Sequence, residues 1–95
     1  MVKDSTLRQQ ILSGNHISTP EKLLLTMHNL CIVRPEIAKT CGEIAKAIQA
    51  ATDNVAVILA KHEADGYIRS FEDINGARRF YLTSIGILKV CSVYT

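Results

Sequence analysis

Apolar residues recur along this chain at two periods, and the change from one to the other divides it. Leu7, Ile11 and Leu12 keep helical spacing after Asp4 or Ser5, either of which can cap a helix, and Gly14-Asn15 supplies the left-handed conformation that stops one. A short terminal helix over Asp4–Ser13 is predicted. Thr19-Pro20-Glu21 is a second start: the threonine oxygen can accept an unpaired amide, proline suits the first turn and glutamate complements the helix dipole. Leu23, Leu24, Met27, Leu30 and Cys31 continue the helical spacing until Arg34-Pro35, where the residue before proline is pushed out of the helical region. Glu36 to Lys39 is expected to be a connection or a fraying turn. Thr40-Cys41-Gly42-Glu43 matches the T-x-x-E capping box, and Ile44, Ala45 and Ile48 follow it on one face, so a third helix is predicted over about 41–49. Thr52 or Asp53 can cap a fourth, in which Val55, Leu59 and His62 share one side with Ile58 flanking them; Gly66 ends it.

Beyond Gly66 the period shortens to that of a strand. Tyr67–Glu72 and Ala77–Thr83 are rich in aromatic and β-branched residues and flank Asn75-Gly76, a strong hairpin signal. A two-residue loop would put Ile68 and Leu82 on opposite faces, whereas an Ile74-Asn75-Gly76 loop unites them. The longer loop, or a bulge, is therefore expected. Ile68, Ser70, Phe80 and Leu82 then face the core, with Arg69, Phe71, Arg79 and Tyr81 outward. Thr83 or Ser84 can cap a last helix through Ile87, Leu88 and Cys91.

The chain of 95 residues suits a single core. Its composition, 47% hydrophobic and 21% charged, is that of a globular protein and too apolar for disorder. No apolar run approaches the roughly 18 residues of a membrane span, and Met1-Val2-Lys3-Asp4-Ser5 lacks a signal-peptide core, so no membrane partner and a cytoplasmic location are expected. The formal charge of +2 is unevenly placed: residues 1–40 carry five basic and three acidic groups, residues 41–95 six of each. Cys31, Cys41 and Cys91 are odd in number and lack C-x-x-C spacing. They are expected to be small buried hydrophobes; a disulfide is the alternative, its simplest form a Cys91 pair across a dimer axis, plausible inside a cell mainly for a hyperthermophilic source. Glycine-rich phosphate loop, nucleophile elbow and carboxylate–histidine cluster are all missing, and the cysteines lack an identifiable base, so no enzyme, no metal and no cofactor are expected.

A short helix, a tight turn, a second helix closed by glycine and then a hairpin is the order of a helix-turn-helix with a wing. The run Gly42-Glu43-Ile44-Ala45-Lys46-Ala47-Ile48, then Val55, Leu59, Glu63 and Asp65-Gly66-Tyr67-Ile68, then Arg78-Arg79-Phe80-Tyr81-Leu82-Thr83-Ser84-Ile85-Gly86, resembles winged helix-turn-helix transcription regulators of the MarR-, PadR- and ArsR-like kind. The resemblance covers Thr19 to Tyr94. It implies an α+β, mostly helical fold: a three-helix core plus a β-hairpin wing within residues 19–83, an N-terminal helix and connection over 1–18, and a C-terminal helix over 84–95 as a dimerisation element.

It further implies that the helix from Thr52 to Asp65 enters the major groove of double-stranded DNA while the wing reaches a phosphate or the adjacent minor groove. At about 100° per residue, the face opposite Val55 and Leu59 carries Asp53, Asn54, Val57, Ala60, Lys61 and Ala64. Asn54 can pair bidentately with adenine, Lys61 can meet phosphate or guanine, and Val57 and Ala60 can touch thymine methyls. Arg78, Arg79 and Arg69 on the wing and Lys46 on the preceding helix are phosphate candidates. In the expected register Glu72 lies across from Arg78 and Asp73 beside the turn, so these arginines can also pair within their own hairpin. His62 departs from the aliphatic residue usual at its position and is expected to be a hydrogen-bonded, partly buried side chain.

Leu7, Ile11, Ile87, Leu88 and Val90, with Cys91, are more apolar surface than a small monomer needs, and a homodimer is expected. No small-molecule pocket is arguable from the sequence. Two other readings compete with a homodimeric transcription regulator: a winged-helix protein-interaction module, favoured by the neutral charge of residues 41–95 and the apolar Val57, Ala60 and Ala64, and a metal- or redox-responsive regulator using the cysteines.

Overall fold

Helices and strands follow one another in the computed structural model, which describes residues 18–94, in the order α1 (Thr19–Asn29), β1 (Lys39–Thr40), α2 (Cys41–Ile48), α3 (Thr52–Ala64), β2 (Ile68–Glu72), β3 (Arg78–Leu82) and α4 (Ser84–Tyr94). The architecture is α+β and mostly helical, as expected. The predicted Asp4–Ser13 helix, with Leu7 and Ile11, lies outside the described residues.

Local hydrogen bonding decides where the helices start. Ser18, not Thr19, caps α1: its Oγ accepts from the Glu21 amide while Glu21 accepts from the Ser18 amide, both at 3.3 Å. The capping box of α2 is the expected one, the Glu43 amide donating to Thr40 Oγ1 at 3.2 Å and the Thr40 amide to Glu43 Oε1 at 2.9 Å. Neither Thr52 nor Asp53 caps α3. The turn before it is so tight that Ala51 occupies the cap without a side-chain hydrogen bond, and Asp53 falls inside the first turn, where its charge complements the dipole.

The helix ends share one device. In α1 and α3 the residue after the cap turns left-handed and the next amide reaches back five residues: Cys31 (φ 61°) precedes the Ile32 amide bonded to the Met27 carbonyl at 2.9 Å, and Gly66 (φ 85°) precedes Tyr67 bonded to His62 at 2.9 Å. Gln49 (φ 58°) closes α2 in the same way, with Ala50 bonded to Ala45 at 3.0 Å. This device overturns one expectation. Cys31 is exposed because the left-handed turn directs the burial to Ile32 instead, and Leu30 stays outside with it; Cys91 is exposed as well and Cys41 is half-buried.

Strands β2 and β3 pair antiparallel with Ile68 opposite Leu82, Ser70 opposite Phe80 and Glu72 opposite Arg78, the register of the three-residue loop. Gly76 takes φ 84°, and its amide donates to the Asp73 carbonyl at 3.0 Å, a bulged turn that a side chain would strain. Lys39 and Thr40, part of a segment expected to be a mere connection, form β1 against Phe80 and Arg79 of β3, so the sheet has the order β1-β3-β2; a one-turn 3₁₀ helix, Pro35–Ile37, leads into it.

The core gathers one face of every helix against the inner face of the hairpin: Leu23, Leu24 and Met27 from α1, Ile44 and Ile48 from α2, Val55 and Leu59 from α3, then Ile68, Phe80 and Leu82, with Val90 from α4. Val90 therefore belongs to the chain's own core rather than to surplus surface. Removing a side chain from the centre of this cluster leaves a cavity, so Leu59→Ala is expected to cost about 2–5 kcal/mol of folding stability, read by chemical denaturation.

His62 completes this core with a polar atom. It is buried, its Nε2 lies 3.0 Å from the Pro20 carbonyl, to which it donates as the neutral imidazole, and its Nδ1 is buried without a partner among the described residues. Burial pushes the imidazole below its ordinary 6.5, against the opposing pull of the Pro20 carbonyl. The unfolded chain thus binds a proton more readily, and the stability His62 contributes is complete above pH 6.5 and lost as pH falls through the lowered value. His62→Gln, which keeps a donor for Pro20, is expected to flatten the fall in stability between about pH 7 and 5. Parallel curves for the two proteins would contradict this assignment.

Candidate nucleic-acid interface

Because Val55, Leu59 and His62 lock one side of α3 into the core, the opposite side is presented outward by geometry alone. Asp53, Asn54, Val57, Ala60, Lys61 and Ala64 are all exposed, Val57 at its centre being 70% exposed. A helix of 13 residues is about 20 Å long, so this stripe is a projecting ridge. Lys61 holds Asp65 one turn on at 3.8 Å, a pair so exposed that its worth is at most about 1 kcal/mol.

Strand alternation splits the hairpin arginines that adjoin in sequence. Arg78 lies on the face toward α3: it donates to Ser70 Oγ at 2.9 Å, Ser70 donates to Glu63 of α3 at 2.7 Å, and Glu72 stands 3.9 Å away. Arg79 lies on the other face and is held three times, by Asp73 at 2.7 Å, by the Ala38 carbonyl at 3.2 Å and by Glu43 of α2 at 3.7 Å. The Arg79 guanidinium, with the Ala77 and Asn75 amides, holds the Asp73 carboxyl below the usual carboxylate range, and the Thr40 amide with help from Arg79 does the same for Glu43. Arg79 thereby ties the hairpin turn to the start of α2. Arg69 and Lys46 are exposed and enter no ion pair among the described residues.

At the other end of the hairpin, Thr83 joins three elements: its Oγ1 donates to the Gly66 carbonyl at 2.7 Å and accepts from the Gly86 amide at 3.0 Å. Burial and the Asp53 charge push Cys41 up, away from a reactive thiolate, and no group of three or more His, Cys, Asp or Glu residues able to hold a metal occurs among the described residues. Nor is any helix among them long and apolar enough to cross a membrane.

No family model matches this sequence, and no curated protein matches it either. Solved structures do match by shape. The DNA-binding TubR fragment of Clostridium botulinum superposes with a TM-score of 0.70 at 17% identity over 79% of this chain and 93% of that one. A MarR-family transcriptional regulator from Silicibacter pomeroyi gives 0.69 at 17% identity over 90% and 56%. MepR of Staphylococcus aureus, in its complex with DNA, gives 0.64 at 22% identity over 96% and 73%. The fold is the winged helix-turn-helix.

In winged-helix terms α2 and α3 are the helix-turn-helix, with α3 in the recognition position, and β2–β3 is the wing. Asp53, Asn54, Val57 and Lys61 share the ridge of α3, and Arg78 is linked to that helix through Ser70 and Glu63. Arg69 stands on the opposite face of the wing, and Lys46 on the outer side of α2. Pairing of the wing arginines within their own hairpin was expected, and Arg79 does meet Asp73; sequence reasoning missed Glu43 as its second carboxylate, since Glu43 was legible only as a capping residue. The two arginines should respond differently to substitution. Arg78→Ala is expected to leave stability within about 0.5 kcal/mol, as for an exposed side chain, whereas Arg79→Ala should loosen the wing turn and speed amide exchange at Ala77 and Asn75.

Proposed function

We propose that this protein binds double-stranded DNA sequence-specifically and regulates transcription as a homodimer without a cofactor. The observation that carries the reading is the exposed ridge of α3, backed by the core on its other side and accompanied by the wing arginines. The ridge enters the major groove; Arg69, Arg78 and Lys46 contact phosphates or the narrow minor groove beside it. Arg79, also a phosphate candidate, acts first by fixing the wing. Exposed pairs such as Arg78–Glu72 are weak enough for phosphates to displace them. The shape match to a DNA-binding fragment and to a regulator in complex with DNA supports the same reading.

Pairing is supported by α4. Ile85 and Leu88 are 57% and 67% exposed, Cys91 is exposed beside them and Ile87 is half-buried, leaving an apolar strip for a second copy. Two recognition helices set about 34 Å apart would read successive major grooves. Selection of bound duplexes from a random pool tests both parts: enrichment of a site with two-fold symmetric halves is expected, and failure to enrich any sequence would sink the proposal. A protein-interaction module remains the second reading, favoured by the apolar exposure of Val57 and by Ile74, wholly exposed at the wing tip. Capture of a partner by a protein that ignores every duplex at low salt would favour it.

A further inference from the structure

We infer that α3 reads adjacent adenine·thymine pairs, Asn54 taking the adenine edge and Val57 the thymine methyl, and that it carries no cation to read guanine there. This inference rests on the duplex-binding reading above and names the bases the ridge selects. Guanine offers two acceptors, N7 and O6, in the major groove and is read by a cation with paired donors. The first two turns of α3, from Thr52 onward, contain no Lys or Arg, and Asp53 brings two more acceptors. Lys61, the sole cation on the ridge, stands two turns beyond Asn54 and is drawn toward Asp65 at 3.8 Å.

What the first turns do present matches the other base pair. Asn54 is exposed, makes no side-chain hydrogen bond among the described residues, and carries the donor and acceptor that adenine N7 and N6 require. Val57 follows it by three residues on the same face, an advance of about 4.5 Å along the helix, close to the 3.4 Å step between base pairs. Its isopropyl group is 70% exposed and stands outside the core formed by the described residues, and the thymine 5-methyl is the apolar feature of the major groove that it can cover. Ala60 beside it leaves room for that close approach.

Three duplex polymers of equal length separate the contacts: alternating poly(dA-dT), the same polymer with uracil for thymine, and poly(dG-dC). The uracil polymer lacks only the methyl. The 95-residue chain is expected to bind poly(dA-dT) about 5- to 100-fold more tightly than poly(dG-dC), the range of one bidentate base contact, and several-fold more tightly than the uracil polymer. Val57→Ala should bind the thymine and uracil polymers alike, and Asn54→Ala should lose most of the preference over poly(dG-dC) while keeping the thymine–uracil difference. Equal affinity for all three polymers, or a methyl preference that survives Val57→Ala, overturns the base assignment while duplex binding stands. If none of the polymers binds at low salt, the duplex-binding reading falls and the base assignment falls with it.

Discussion

Replacing Gly86 by alanine is expected to destabilise the protein toward the upper end of the roughly 1–3 kcal/mol that overpacking costs. A Cβ at this position would overlap the Tyr67 backbone carbonyl and come within 2.6 Å of Leu82 Cδ1. The carbonyl cannot turn aside, because it also accepts the Thr83 amide at 2.9 Å. The first turn of α4 would have to lift from the base of the wing, breaking the Thr83 bridge between Gly66 and Gly86. Gly42 is the control: nothing lies within 4 Å of its Cβ position, so Gly42→Ala should stabilise by about 0.4–1 kcal/mol through the unfolded chain. Denaturant midpoints of the two variants should move in opposite directions. Midpoints that fall together would refute the packing argument for Gly86.

The second large effect concerns binding alone. Val57→Glu should leave folding stability within about 0.5 kcal/mol, since the side chain is exposed and glutamate suits a helix. Duplex affinity should nevertheless fall about 100-fold, because a carboxylate at the centre of the ridge would be driven among phosphates, a juxtaposition that costs several kcal/mol. The pairing of unchanged melting with lost binding is the signature. Val57→Glu that binds duplex as the parent does would remove α3 from the groove.

Most of the architecture was legible because its signals are local. Thr40 and Glu43 satisfy each other's backbone amides within one turn, so their sequence spacing alone marks the start of α2. Asn75-Gly76 marks the wing turn because position 76 needs a positive φ, and Gly66 marks the end of α3 for the same reason. The same left-handed ending at Cys31 and Gln49 carries no such mark. There the burial of Ile32 and the hydrogen bonds back into the helix impose the conformation on residues that do not favour it. Strand β1 escaped for a related reason: a pair of residues, Lys39 and Thr40, becomes a strand only because β3 lies beside them.

The candidate interface was legible by face and not by partner. Helical periodicity separates Asn54 and Val57 from Val55 and Leu59, and strand alternation separates Arg78 from Arg79. Neither periodicity foretells that Arg79 meets Glu43 and Ala38, which the chain brings together only through the β1–β3 pairing. The two arginines therefore look equivalent in the sequence while differing in freedom: one leans on exposed Glu72 and Ser70, the other is braced against two carboxylates and a carbonyl. Dimerisation through α4 is an expectation that Leu88 and Ile85 keep open and that Val90, turned into the core, no longer supports.

Phosphate contact by α2 and the wing would have a direct thermodynamic signature, the release of counterions from DNA. Affinity for a selected duplex should be measured between 50 and 200 mM monovalent salt. If Lys46, Arg69 and Arg78 of each of two copies engage phosphates, affinity falls about a thousandfold across that range. An affinity indifferent to salt, or absent even at its lower end, would contradict duplex binding by this fold.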